Sequence, residues 1–279
     1  MAKEENVFEY EFMNTSLQIV LPNVDARTAR TVAYECEQTV LNIEDALSMF
    51  KYGGDISILN NAEVGEVVKI GEYTQECLLA AFKACEISKG AVDVCMGEFF
   101  LKAKKIGEIA TPDTPRRGKF ALDTENYLVK KLEDGKIDFG SIGKGYTLDK
   151  LDDIFTYWNI RDAFVSFGAS SILALGQNAD GKDWPINLGD KCTDTISNVF
   201  VGASGKSVLG EHIIDCRTGE LPKNPKFRTW AFSGNGAISD AMATAFMILD
   251  IPDIAEICSQ YDISAAVQIS EDSDIEFIG

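Results

Sequence analysis

Two polar residues on one predicted helix are suited to binding a divalent cation. Asp240 and Thr244 are four residues apart within residues 238–249, where small and apolar residues recur at helical spacing. Side chains four apart on a helix share a face, with Cβ atoms about 5–6 Å apart. A carboxylate and a hydroxyl suit Mg²⁺ or Ca²⁺ better than zinc. The alternative is structural: an aspartate favoured by the helix dipole and a threonine bonded to its own turn.

A glycine-rich segment, residues 138–149, lies where a predicted strand leads into a predicted helix. Gly140, Gly143 and Gly145 let the backbone approach a ligand closely. Unpaired N–H groups at a helix start attract phosphate, and Lys144 adds a positive charge beside them. The glycine spacing matches neither a Walker A loop nor the dinucleotide-binding fingerprint. A helix entry with a solvated lysine therefore stays open as the alternative.

His212 is the only histidine in the chain. An ordinary pKa near 6.5 makes it a candidate proton carrier. Asp215 follows three residues later and is its candidate helper. One histidine excludes a multi-histidine metal site, and an ordinary surface or core histidine is the alternative.

Hydrophobic periodicity predicts the elements that must position these residues. Predicted helices cover residues 25–50, 72–89, 142–158, 238–249 and 253–261. Predicted strands cover residues 8–20, 119–123, 127–131, 136–139, 163–167, 172–175, 184–188, 196–203 and 264–269, and residues 111–118 predict an exposed loop. The strands run in neighbouring series rather than alternating with helices. This order favours an α+β fold, and a length of 279 residues suits a single domain.

Composition excludes several classes of protein. The formal net charge of −18 repels nucleic-acid phosphates, so no nucleic-acid partner is expected. No apolar run reaches the roughly 18 residues that a membrane span needs. The polar N-terminus shows no secretory signal, and seven cysteines without a Cys-x-x-Cys pair suit free thiols in a cytoplasmic protein. An anionic ligand would need a cation or backbone N–H groups to offset the chain's charge.

In their order along the chain, these segments resemble the FAD:protein FMN transferases of the ApbE family. The resemblance covers about residues 13–249 and depends most on Gly-Ser-Ile-Gly-Lys-Gly-Tyr and on the Asp-x-x-x-Thr helix. Further matching segments are Met13-Asn-Thr15 and residues 44–60, 90–93, 167–176, 203–205, 212–215 and 218–219.

The resemblance implies one α+β domain over residues 1–279, with mixed and antiparallel sheets, flanking helices and a central flavin cleft. It implies Mg²⁺, with Mn²⁺ as a possible substitute, held by Asp240, Thr244 and the carbonyl of Gly143. The implied activity is transfer of the FMN half of FAD to a Ser or Thr hydroxyl of an acceptor flavoprotein, with release of AMP. His212 and Asp215 are then the predicted catalytic pair. Residues expected to contact FAD are Met13, Ser57, Asp93, Gly140, Lys144, Gly145, Ser204, Gly205 and Thr218.

Three departures from the family pattern affect what the resemblance implies. Residues 168–171 read Gly-Ala-Ser-Ser where the family often has Gly-Gly followed by Asp or Asn, and Cys216 replaces a usual proline. Residues 205–212 lack an expected Tyr-x-Arg, which affects one wall of the flavin site. Two alternatives therefore stay open: an FAD pyrophosphatase that releases FMN and AMP, and a catalytically silent FAD-binding protein.

Overall fold

A computed structural model describes residues 5–104, 114–189, 192–205, 213–223 and 225–279. Seven α-helices lie in these ranges: α1 Ala26–Leu47, α2 Asp55–Asn61, α3 Glu72–Ile87, α4 Gly97–Lys104, α5 Gly143–Tyr157, α6 Gly236–Phe246 and α7 Ile251–Tyr261. A 3-10 turn, Val94–Met96, precedes α4. None of the described helices combines the length and the apolar character that a bilayer crossing requires.

The described strands are β1 Glu5–Phe12, β2 Thr15–Pro22, β3 Val67–Lys69, β4 Lys119–Asp123, β5 Leu128–Glu133, β6 Ala163–Phe167, β7 Ser171–Leu175, β8 Trp184–Leu188, β9 Cys192–Ile196, β10 Val199–Gly205, β11 Arg228–Ser233, β12 Ser264–Gln268 and β13 Ile275–Ile278. Eight of them form one sheet in the order β1-β2-β6-β7-β10-β11-β12-β13. Smaller sheets have the orders β3-β5-β4 and β8-β9. The pairings are antiparallel, as in Leu17 opposite Phe167, and the α+β prediction is confirmed.

Helices cover one face of the large sheet and the β8–β9 hairpin covers the other. On the helical face, α1 and α5 pack on β2, β6 and β7 through buried residues such as Val32, Phe155 and Val165. α3 and α6 pack beside them on β11 and β12. On the opposite face, Trp184 and Ile186 of β8 pack against the outer side chains of the sheet. The helical layer is the one that carries the glycine-rich segment and the Asp-x-x-x-Thr helix.

Some predicted elements differ from those observed. The strand predicted at residues 8–20 is the hairpin β1–β2, because Met13 and Asn14 take left-handed φ values of 49° and 58° and form a tight turn. The strand predicted at 196–203 corresponds to β10, and of the preceding strand β9 it covered only Ile196, because Asn198 at φ 53° separates the two. Residues 136–139 are not a strand, and residues 111–113 of the predicted loop lie outside the described residues. The sequence prediction missed α2, α4, β3, β9, β11 and β13.

α5 and α6 approach each other closely because glycines line their crossing. A Cβ atom on Gly145 would lie 2.6 Å from the Cβ of Asp240 and would overlap the carbonyl oxygen of Gly236. On the sheet side, a Cβ atom on Gly202 of β10 would lie 2.7 Å from the Cα of Asp240. Contacts this short are not tolerated between heavy atoms, so only glycine fits at these positions. The backbone carrying Asp240 is thereby enclosed from two sides.

The substitution Gly145→Ala tests this crossing. We expect a loss of about 1–3 kcal/mol or more in the free energy of unfolding, because the new methyl group overlaps main-chain atoms that cannot move independently. Urea denaturation followed by circular dichroism measures the change. Gly234→Ala is the matched control, since a Cβ atom at Gly234 would meet no other atom within 4 Å, and we expect a change below about 0.5 kcal/mol there. Equal stabilities for the two variants would contradict the tight crossing.

Candidate active site

Asp240 lies near the start of α6 and is almost fully buried. Its side chain is 5% exposed, and both carboxylate oxygens accept hydrogen bonds: Oδ1 from Ser171 Oγ and Oδ2 from the backbone N–H of Gly145, each at 3.0 Å. The ammonium of Lys144 stands 3.8 Å from Oδ2. The structure thus joins the predicted metal ligand to the glycine-rich segment through two groups, Gly145 N–H and Lys144, and to β7 through Ser171.

Thr244 lies one turn further along α6 and is partly exposed. It lines a small hollow of about 70 Å³ together with Gly140 and Ser141 of the glycine-rich segment and Ser204 of β10. Asp138, Phe100 and Ile213 complete the described lining. The late helix and the glycine-rich segment therefore line one concave surface.

The predicted carbonyl donor, Gly143, is the first residue of α5. Its carbonyl oxygen accepts a hydrogen bond of 2.8 Å from the hydroxyl of Thr147. The preceding bend is closed by bonds from the N–H groups of Ile142 and Gly143 to the carbonyl of Phe139. The residues of this segment that line the hollow are Asp138, Gly140 and Ser141, not Gly143.

Asp149, two turns into α5, connects the two helices from the other end. Its Oδ1 accepts the N–H of Gly236 at 2.5 Å and its Oδ2 accepts the N–H of Ala237 at 2.9 Å. These are unpaired N–H groups at the start of α6. Burial raises the pKa of Asp149 to about 6, against the opposing effect of the two backbone N–H groups.

Two predicted acidic residues are already paired with arginines. Asp93 is 6% exposed; its Oδ1 accepts the N–H of Cys95 at 2.9 Å, and its Oδ2 lies 2.5 Å from Nη2 of Arg117. The contact at Oδ2 is an ion pair without a hydrogen bond. Neither oxygen of Asp93 is therefore left without a protein neighbour.

Asp215 accepts two hydrogen bonds from the guanidinium of Arg217, from Nε to Oδ1 at 2.9 Å and from Nη2 to Oδ2 at 2.7 Å. Burial acts to raise the pKa of Asp215, but hydrogen bonds from the side chain and backbone of Arg217 outweigh it and hold the pKa below its usual range. Thr218 follows in the same turn, its N–H bonded to the carbonyl of Asp215. His212 lies outside the described residues, so its predicted pairing with Asp215 stays a prediction.

The other predicted contacts divide into two groups. Gly140, Lys144, Gly145 and Ser204 lie at or beside the hollow, and Gly205 ends β10 next to Ser204. Met13, Ser57, Asp93 and Thr218 are not part of its lining. The N–H of Met13 bonds Glu44 Oε1 at 2.8 Å, and Ser57 is buried in α2.

Two side chains next to the site were not predicted as site residues. Ser171 bonds Asp240 directly, and Asp149 bonds the first turn of α6. Both stand inside segments that carry the family resemblance. Their partners lie 69 and 87 residues away, so no local spacing could identify them.

A model of the ApbE family matches residues 13–267. Among curated relatives, an FAD:protein FMN transferase of Vibrio cholerae serotype O1 is 22% identical over 249 residues, covering 79% of this chain and 74% of the relative. A protein of the same name from Escherichia coli K12 is 22% identical over 305 residues, covering 98% of this chain and 86% of the relative.

Solved structures share the fold. The flavin transferase ApbE from Vibrio cholerae superposes with a TM-score of 0.83 at 19% identity, covering 99% of this chain and 96% of its own. The ApbE protein from Thermotoga maritima gives 0.82 at 22% identity, with 99% and 97% covered.

Fold, family model and relatives together define this chain as a transferase enzyme. It belongs to the ApbE family, whose model matches most of its length.

The raised pKa of Asp149 makes the free energy of unfolding depend on pH. A carboxyl whose pKa is raised on folding stabilises the protein below its unfolded pKa of about 4, and this stability is lost as pH rises through about 6. The shift corresponds to at most roughly 3 kcal/mol, because the side chain remains partly exposed. Asp149→Asn removes this contribution. We expect the unfolding free energy of the Asp149→Asn variant, relative to the parent, to rise between pH 4 and pH 7.

Urea denaturation at half-unit pH steps, without added metal, measures this difference. The matched control is Asp25→Asn, because Asp25 caps α1 and hydrogen bonds from Thr28 lower its pKa. The sign then reverses: that variant should lose stability relative to the parent as pH rises from about 3 to 5. A flat difference for Asp149→Asn across the range would show that its carboxyl titrates normally.

Proposed function

We propose that this chain transfers the FMN half of FAD to a serine or threonine hydroxyl of an acceptor flavoprotein and releases AMP. The observation that carries the proposal is the direct junction of Asp240 with the Gly-Lys-Gly segment, next to a hollow that Thr244 also lines. The name shared by the curated relatives supports the same activity. We further propose that the whole chain acts as one domain.

The side chains around the hollow fit a hard divalent cation, Mg²⁺ or Mn²⁺. Each oxygen of Asp240 accepts one hydrogen bond and keeps a further lone pair. The hydroxyl of Thr244 makes no hydrogen bond within the described part of the chain, so its oxygen is available. The carbonyls of Gly140 and Ser141, residues that line the hollow, are candidate third donors beside that of Gly143, which the resemblance names and which accepts a hydrogen bond from Thr147.

A cation site of this kind uses few charged ligands. The described residues contain no cluster of three or more His, Cys, Asp or Glu side chains able to hold a metal. A single carboxylate leaves charge on the cation for phosphate oxygens of the substrate, which is how magnesium is usually bound in phosphoryl-transfer enzymes. When bound, the cation supplies Lewis-acid polarisation of the diphosphate.

The chain's own residues supply positioning and charge for the transfer. Lys144 and the positive end of the α5 helix dipole offset the negative charge of the diphosphate. The acceptor's hydroxyl oxygen bonds to the phosphorus on the FMN side, the bond from that phosphorus to the bridging oxygen breaks, and AMP departs with the bridging oxygen. We assign the hydroxyl proton to His212. Asp215, held by Arg217, shapes the turn that follows His212.

The hollow is large enough for the proposed cation and neighbouring phosphate oxygens but not for a whole dinucleotide. Its volume of about 70 Å³ is well below the roughly 300–1,000 Å³ of most ligand pockets. The seven cysteines of the described chain are free thiols, which supports the proposal of a cytoplasmic enzyme acting on a cytoplasmic acceptor.

Incubation with FAD, Mg²⁺ and a candidate acceptor flavoprotein tests the function. We expect an FMN-sized mass gain on the acceptor, measured by intact-protein mass spectrometry, and AMP measured by chromatography. Asp240→Asn should slow the gain about 100-fold or more, because the cation loses the carboxylate proposed to hold it. EDTA should abolish it. Asp194→Asn, an exposed acid on β9, is the matched control and should react like the parent.

Each alternative predicts a different outcome. FMN and AMP in solution without a mass gain, for every acceptor tried, would identify an FAD pyrophosphatase. Bound FAD that persists without turnover, unaffected by Asp240→Asn, would identify a silent binding protein.

A further inference from the structure

The residues proposed to hold the cation lie on α6 and on the glycine-rich segment that leads into α5. The side chain of Asp149, on α5, connects the start of α6 to α5. It reaches from α5 to α6 and accepts the N–H groups of Gly236 and Ala237 on separate oxygens. Asn235, on the loop before α6, caps the same turn by accepting the N–H of Ile238 at 2.9 Å. The first turn of α6 therefore has two caps, one local and one from the neighbouring helix.

The local cap, Asn235, fixes only the first turn of α6, whereas the cross-helix cap, Asp149, fixes the position of α6 relative to α5. Asn235 belongs to the same short segment as α6 and moves with it. Asp149 instead fixes where the start of α6 lies along α5, and Asp240 and Thr244 follow about one and two turns later on a rigid helix. A slide or rotation at Gly236 would thus be transmitted to both proposed ligands.

The packing of the two helices does not set this position by itself. Gly145 and Gly236 meet backbone to backbone, with no side chain inserted between them. A contact between glycines permits close approach but offers no interlocking side chains that oppose sliding. Directed hydrogen bonds are needed to select one alignment, and Asp149 and Asp240 supply them at the two ends of the crossing.

The energetics of Asp149 differ from those of an ordinary helix cap. Asp25 caps α1 at the surface, where hydrogen bonds from Thr28 lower its pKa, so its charge is favoured by folding. At Asp149 burial dominates and the pKa rises, so folding disfavours its charge at neutral pH. Burying this charge at neutral pH costs stability, and functional sites are among the places where such a cost is expected.

We propose that Asp149 is a positioning residue of the cation site, whose carboxylate sets the alignment of α6 on α5 so that Asp240 and Thr244 reach the glycine-rich bend together. The inference depends on the proposed function, because it concerns the cation of that reaction. Asparagine cannot replace the carboxylate here, since its amide has one acceptor oxygen and would turn an N–H₂ toward the second backbone N–H.

Manganese affinity separates positioning from stability. The probe is Mn²⁺ titrated into the full chain with FAD present, followed by water-proton relaxation, which reports protein-bound Mn²⁺ without requiring turnover. We expect Asp149→Asn to raise the Kd for Mn²⁺ by about 10–100-fold, as loss of an outer partner of a metal site does. Its Tm should stay within about 3 °C of the parent at pH 7.5, because relief of the buried charge offsets the lost hydrogen bond.

Asn235→Ala is the matched control on the same helix turn. It removes the local cap, so its Tm should fall by several degrees, while its Kd for Mn²⁺ should stay within about twofold of the parent because the cross-helix bonds remain. Asp149→Ser, smaller and neutral, repeats the affinity measurement if the asparagine variant does not fold.

The outcomes are distinct. An unchanged Kd in the Asp149 variants, with tight binding by the parent, would overturn the positioning role alone. A Tm loss in Asp149→Asn that equals that of Asn235→Ala, without a change in Kd, would make Asp149 a structural cap and also overturn it. No Mn²⁺ binding by the parent would overturn the proposed function and this assignment with it.

Discussion

The site depends on the close contact between the helices α5 and α6. Gly145 and Gly236 bring the backbones of α5 and α6 together, and Gly202 of β10 admits the same stretch of α6 from the sheet side. This approach allows a main-chain N–H of α5 to reach the carboxylate of Asp240 directly. Bulkier residues would hold the helices at the usual spacing of about 8–10 Å. The glycine-rich segment is thus a packing requirement as well as the proposed ligand-binding loop.

The negative charge near the site is compensated by local contacts. Of its 44 acidic residues, those that line or were predicted for the site are either paired with a cation or bonded by backbone N–H groups: Asp93 with Arg117, Asp138 with Gly140, Asp215 with Arg217, and Asp240 with Gly145 and Lys144. Electrostatic attraction falls off within about a Debye length, so the overall charge of −18 matters less to a bound diphosphate than these few contacts.

Sequence pattern predicted the elements that carry the site better than the contacts inside it. The helices around Lys144 and Asp240 were located to within a few residues because their periodicity is strong, and Asp240 and Thr244 were placed on one face. The hairpin at Met13 was missed because a left-handed turn of two non-glycine residues has no clear local signal. Ser171 and Asp149 were missed as site residues because their roles arise from contacts across 69 and 87 residues. Strand β11 was missed although it lies well inside the large sheet, between β10 and β12.

The two halves of the site are separated by 95 residues, from Gly145 to Asp240. β2 of the N-terminal hairpin pairs with β6, and α5 packs against α6. During synthesis, therefore, neither the pairing of the central strands nor the contact between the two helices can form until most of the polypeptide has left the ribosome. Fragments that end before α6 contain Lys144 and the glycine-rich bend but no Asp240. Under the proposed function, a nascent or truncated chain without α6 would have no carboxylate to hold the cation, so activity would arise only once α6 has been made.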